Sequence, residues 1–206
     1  MQFIQLWLSI FGVIFAAIDP FGYVPIFLSM TAEKKEEERH WILKKACLTS
    51  FLVLAVFSLG GNSLLSFFGI SIPALQISGG LILIVIGFNM LQLMPMATKL
   101  STDDATEARE KEDISIVPLA IPMLAGPASL TTIAVTSARV QGPIDYLILV
   151  SSIFATLAFT YFILRSANKV LHWAGLIGLH VLTRLMGLLL CAIAVQFVIN
   201  GYLAIR

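Results

Sequence analysis

Asp19-Pro20-Phe21-Gly22 interrupts an apolar run, Phe3 to Met30, that otherwise reads as a single membrane-crossing helix. An acid, a proline, a glycine and a second proline at Pro25 are poor residues for a lipid-facing helix. Proline removes a backbone donor and crowds the preceding turn, and glycine loosens the backbone. In hydrocarbon, each freed carbonyl or amide is costly unless something satisfies it. A break at that depth therefore needs protein around it or a polar cavity beside it. A second break, Leu124-Ala125-Gly126-Pro127-Ala128-Ser129, falls in a later apolar run. Two breaks of this kind point to a transporter.

The rest of the chain suits that setting. Of 206 residues, 58% are hydrophobic and 12% charged, and the mean hydropathy is +0.93. A soluble domain carries about 25% charge. The net charge of +1 gives no basic patch for nucleic acid. Cys47 and Cys191 lie in apolar segments without CxxC spacing, and His40, His172 and His180 are scattered, so neither metal nor cofactor is expected. The N-terminus lacks the basic region and cleavage site of a signal peptide and reads as a retained first helix.

Six segments reach the roughly 20 residues needed to span an apolar core. They lie near 3–30, 43–62, 70–93, 114–138, 144–164 and 180–203. Lys34, Lys35, Arg39, Lys44 and Lys45 flank the 1–2 loop, Lys99, Arg109 and Lys111 the 3–4 loop, and Arg165 and Lys169 the 5–6 loop. The opposite face holds only Arg139 and Arg206. The positive-inside rule makes the basic face cytoplasmic and puts both termini outside. Trp7, Trp41 and Trp173 sit near span ends, as interfacial anchors do.

A shift of 107 residues lays Pro20 on Pro127, Gly22 on Ser129, Gly80 on Gly187 and Asn89 on Gln196. Each half has three spans, so the second half enters the membrane upside down. The expected fold is an all-α integral membrane protein. Its six transmembrane helices form two inverted three-helix repeats, each with a broken first helix. The repeats cover 1–95 and 114–206, joined by a polar cytoplasmic linker over 96–113.

Asp19 is the one acid well inside a span, and an intramembrane acid is a functional candidate by default. It could bind a substrate ammonium, carry a coupling proton or coordinate sodium. It also fits a plain helix cap, with Pro20 opening the half-helix. The free N–H groups after Pro20 and Pro127 suit a carboxylate. Gly22 and Gly126 allow close approach, and Ser129 adds a hydroxyl that can equally bond its own turn. Arg184 either snorkels to headgroups or faces the bundle. Asn89 and Gln196 either line the cavity or bond neighbouring helices. Catalysis is not expected: an aspartyl protease needs a second acid, and no HExxH or nucleophile motif is present. A channel, or an efflux or accessory membrane protein, is the alternative.

Four stretches also resemble a known family. Asp19-Pro20-Phe21-Gly22-Tyr23-Val24-Pro25-Ile26-Phe27 is similar to the first-helix motif of the MarC family of bacterial inner-membrane proteins. Leu119-Ala120-Ile121-Pro122-Met123-Leu124-Ala125-Gly126-Pro127-Ala128 resembles its fourth-helix motif, with Ala128 where the family has glycine. Ala74-Leu75-Gln76-Ile77-Ser78-Gly79-Gly80 and Thr183-Arg184-Leu185-Met186-Gly187-Leu188 resemble its third- and sixth-helix signatures. Related members are grouped as six-span neutral amino-acid transporters. The resemblance therefore implies an inner-membrane carrier of small neutral amino acids, and the reading of Asp19 adds coupling to a proton or sodium ion. It implies a site formed by Asp19, Pro20, Gly22, Pro25, Gly126 and Pro127, with Arg184 beside it; the expected substrate site also takes in Phe21, Ala128 and Ser129 from the two breaks. The expected partners are the substrate and the bilayer, with homo-oligomerisation open. Alternating access would come from one half rocking against the other.

Overall fold

The proline and glycine positions divide the apolar sequence into helices where they are expected to. The computed structural model describes residues 2–92, 114–138, 140 and 142–205, and the linker expected over 96–113 lies outside them. Helices α1 (Gln2–Ile18) and α2 (Tyr23–Met30) meet at a 51° bend over Asp19–Gly22. Two long helices follow, α3 (Glu36–Phe67) and α4 (Ile72–Met90). Between them Gly69 takes a left-handed φ of +66°, and the Ser71 hydroxyl caps α4 by accepting from the Ala74 N–H at 3.3 Å. The second half begins with α5 (Ser115–Leu124) and α6 (Pro127–Ser137), bent by 54°, and ends with α7 (Pro143–Arg165) and α8 (Ala167–Ile205). Gly175, with φ +64°, kinks α8 near its start. Among the described residues, four helices are long and apolar enough to cross a membrane, or up to six if each bent pair is one span. No strand occurs among the described residues.

The α5 segment is less regular than its flanks because its prolines repeat at four-residue spacing. Pro118 and Pro122 have no N–H to donate, and the residues before them, Val117 and Ile121, are extended. The remaining bonds are wide-turned, from Leu119 N–H to Ile114 O at 3.3 Å and from Ala125 N–H to Ala120 O at 2.8 Å. The Ser50 hydroxyl of α3 also reaches the Ala120 carbonyl at 3.4 Å. The shorter bond of that hydroxyl runs to Ala46 O of α3 at 2.8 Å, so its reach to α5 is a secondary contact.

Packing runs mainly between the two halves of the chain rather than within them. The α3 helix packs against α5, α6 and α7, and α4 packs against α6 and, most extensively, α8. In return, α1 and α2 pack against α7 and α8, and α1 also meets α6. Exchanging first, second and third spans for fourth, fifth and sixth leaves this set of partners unchanged. The larger apolar core, which includes Ile14, Ile18, Leu43, Leu54, Leu119 and Ile153, joins α1, α2, α3, α5 and α7. A second cluster, including Ala17, Leu83, Ala128, Leu190 and Phe197, ties α4 and α8 to the two breaks. Trp41 and Trp173 are exposed. Trp7 instead turns inward, its Nε1 donating to the Ser151 hydroxyl of α7 at 3.1 Å.

The seam between α4 and α8 is built on glycine. A Cβ on Gly80 would lie 2.6 Å from the Ala194 carbonyl, and one on Gly187 would lie 2.7 Å from the Met90 Cβ. Small residues let membrane helices approach this closely, and dispersion across the seam is the return.

The ends of the bundle are distinct. The α1 N-terminal turns, the α6–α7 connection and the C-terminal part of α8 share one end, where Pro73 of α4 also touches Gly201. The start of α3 and the α7–α8 connection share the other, with Arg39 and Arg165 beside one small cavity.

Candidate functional site

The first break is held open by the backbone of Asp19. Its N–H still closes α1, donating to Phe15 O at 3.0 Å, but its φ is +45°. Left-handed backbone is uncommon outside glycine, and aspartate is among the residues that tolerate it. The turn then runs through Pro20, Phe21 and Gly22, with Gly22 N–H on Asp19 O at 3.1 Å, and α2 starts at Tyr23. The half-helix therefore begins three residues later than Pro20 at its first position would give. Asp19 ends one helix rather than capping the next.

The side chain of Asp19 is buried. The Gly22 backbone and the Thr183 hydroxyl of α8 lie beside its Oδ2. The other oxygen, Oδ1, is buried with no hydrogen-bond partner among the described residues. Gly22 is small because it must be: a Cβ there would run into the Asp19 carboxylate and lie 3.2 Å from Thr183 Oγ1. Pro20 is buried beside Asp19, and Phe21 meets Phe15 edge-on at 6.1 Å. Pro25 lies in the first turn of α2, where a proline lacks nothing the helix needs.

The second break keeps to the simpler pattern. Gly126 is extended, Pro127 opens α6, and the first helical bond runs from Leu130 N–H to Gly126 O at 2.9 Å. The Ala128 and Ser129 N–H groups thus precede the helix's own bonding. The Ser129 hydroxyl shares its one hydrogen between Leu124 O at 2.9 Å and Gly126 O at 3.0 Å, and so braces the break. A Cβ on Gly126 would collide with the Pro122 carbonyl.

The breaks touch. The Tyr23 hydroxyl donates to the Met123 carbonyl at 3.0 Å, linking the first residue of α2 to the approach of the second break. Ala17 and Ala128, one on each side, belong to the same apolar cluster. Asp19, Pro20, Phe21, Gly22, Gly126, Pro127, Ala128 and Ser129 thus fall in one region, joined by Tyr23 and Thr183. Sequence reasoning misses those two as site residues, although both lie in the quoted motifs. Tyr23 adjoins Gly22 and Thr183 precedes Arg184, but only the tertiary contact gives either a role.

Three further candidates lie elsewhere. Arg184 is exposed on α8 and donates to Gln92 Oε1 at 2.7 Å, bracing the C-terminal end of α4. Gln196 is exposed on the same helix, and its amide donates to Asn200 Oδ1 at 3.0 Å. Asn89 is half-buried on α4. The 107-residue register matches Asn89 with Gln196 by position, but it does not turn them to the same environment.

Two cavities flank this region without including Asp19 in their lining. One, of about 210 Å³, opens at the end of the bundle that carries the α1 N-terminus, between α1, α6, α7 and α8. Val135 and Phe197 line it and also belong to the cluster that holds Ala17 and Ala128. Apolar side chains therefore separate this groove from the breaks. The other, of about 130 Å³, lies at the opposite end beside Arg39, His40 and Arg165. No group of three or more metal-ligating side chains occurs among the described residues.

Comparison with known proteins matches residues 4–205 to the MarC family of integral membrane proteins. The chain belongs to the MarC family. It is 38% identical to a UPF0056 membrane protein of Methanocaldococcus jannaschii, over 96% of each chain. It is 35% identical to the UPF0056 membrane protein YvbG of Bacillus subtilis, over 93% of this chain and 92% of that one. It is 31% identical to YhcE of Escherichia coli, over 91% and 87% respectively. No solved structure matches. The MarC assignment makes the protein an integral membrane protein, and its described residues supply four clear spans, or up to six with the bent pairs.

Proposed function

We propose that this MarC-family protein is a secondary transporter of small neutral amino acids, working by alternating access and coupled to a proton or sodium ion. One observation carries the reading: two broken spans meet through Tyr23 and Met123, beside a buried Asp19 whose Oδ1 has no partner among the described residues. A zwitterion suits such a place. Its ammonium, or the coupling cation, would meet Asp19, and its carboxylate would take the Ala128 and Ser129 N–H groups at the start of α6.

The exchange of packing partners between the halves supports an inverted repeat. It also argues against the two halves rocking as separate bodies, because their principal contacts are with each other. The glycine-built α4–α8 pair, moving against α1, α3 and α7, is the more economical motion. That motion would carry Thr183 relative to Asp19 and Phe197 relative to the outer groove. The basic residues Arg39, Lys44, Lys45, Arg165 and Lys169 cluster toward one end, which supports a cytoplasmic placement for it and outward-facing termini. On this reading the membrane is the bacterial inner membrane.

The test is counterflow in proteoliposomes. Saturable exchange of labelled alanine, serine or glycine is expected, and Asp19→Asn is expected to abolish it. Flux that does not saturate would favour a channel, and no movement under any gradient would overturn the transport reading.

A further inference from the structure

The outward face of α8 carries an amide in a place where lipid offers it nothing. Leu185, Leu189, Ile199 and Leu203 are exposed along this helix, and Ala192 and Gln196 continue the same line. The spacings alternate between four and three residues, the repeat of a coiled-coil seam. The opposite face is already used: Leu190, Ala194 and Phe197 are buried in the cluster near the breaks. Gln196 lies about 18 Å along the helix from Arg184, by the rise of 1.5 Å per residue, and so well inside the apolar span. Arg184 is turned to Gln92 on α4 and does not compete for the stripe.

The Gln196–Asn200 bond uses one amide hydrogen and one carbonyl oxygen. It leaves Gln196 with a second hydrogen and its own Oε1, and an amide has both parts needed to bond a copy of itself. We propose that this stripe is the interface of a homodimer, α8 against α8 of a second copy, with the Gln196 amides hydrogen bonded across a two-fold axis along the membrane normal. Two copies in the same orientation bring these helices together in parallel. The 3.5-residue repeat then gives a shallow left-handed crossing, and Ala192, one turn from Gln196, lets the backbones close in. This inference does not rest on the transport reading.

Cross-linking in membranes tests it. In a chain with Cys47→Ala and Cys191→Ala, Ala192→Cys is expected to form a disulfide-linked dimer under mild oxidation. Phe154→Cys, also exposed but on α7, is expected to stay monomeric. Gln196→Leu keeps the volume and removes the amide, and should weaken dimerisation about tenfold when the protein is diluted in lipid. Linkage at Ala192→Cys no greater than at Phe154→Cys would overturn the interface. A dimer unaffected by Gln196→Leu would overturn the role of the amide.

Discussion

The Tyr23 hydroxyl lies 3.0 Å from the Met123 carbonyl, 100 residues away in sequence, and joins the two helix breaks. Tyr23→Phe keeps the ring and removes only this bond. A net hydrogen bond contributes about 1 kcal/mol, so the thermal midpoint in detergent should fall by about 2–4 °C for a chain of this size. An unchanged midpoint would mean that other contacts hold the breaks together.

Asp19→Asn keeps the size and a polar oxygen beside Gly22 and Thr183 but removes the charge. Uptake should fall by more than about tenfold, and any dependence on the coupling cation should vanish, while the midpoint stays close to that of the parent. Thr183→Val should lower uptake in part and Thr183→Ser should restore it. Equal uptake in all of these would remove Asp19 from the mechanism.

Gly22→Ala should damage both folding and transport, since the added carbon meets the Asp19 carboxylate and Thr183. Gly12→Ala is the matched control on α1, where a Cβ meets nothing within 4 Å. The control should be neutral or slightly stabilising, given the better helix propensity of alanine. Similar losses in both variants would show that helix flexibility, not space at the break, is what glycine supplies.

Gly80→Val should open the α4–α8 seam, because even a Cβ would lie 2.6 Å from the Ala194 carbonyl and 2.7 Å from Val198. Overpacking of this kind typically costs about 1–3 kcal/mol. Thermal unfolding should read that loss directly, and a midpoint equal to the parent's would show that the seam can spread.

The spans and both breaks were legible because hydrophobic length and proline position are local properties. Pro127 opens α6 as its place in the sequence implies. Asp19 was legible as a buried acid but not as a left-handed residue, so the start of α2 shifts to Tyr23. Thr183 gives no local sign of its place beside Asp19, which exists only once α8 packs against α2. Gln196 and Arg184 mark a different limit. A repeat register assigns positions along a helix, but the facing direction depends on packing, and both side chains point away from the breaks.

The interleaving of the two halves has a consequence for synthesis. The surfaces that α3 and α4 present to α5, α6, α7 and α8 have no cover while only the first half has left the ribosome. Those helices must wait in the bilayer, with lipid in place of protein, until α8 arrives to close the seam. A chain truncated before α8 should therefore insert but fail to acquire protease resistance, and supplying α8 as a separate fragment should restore it.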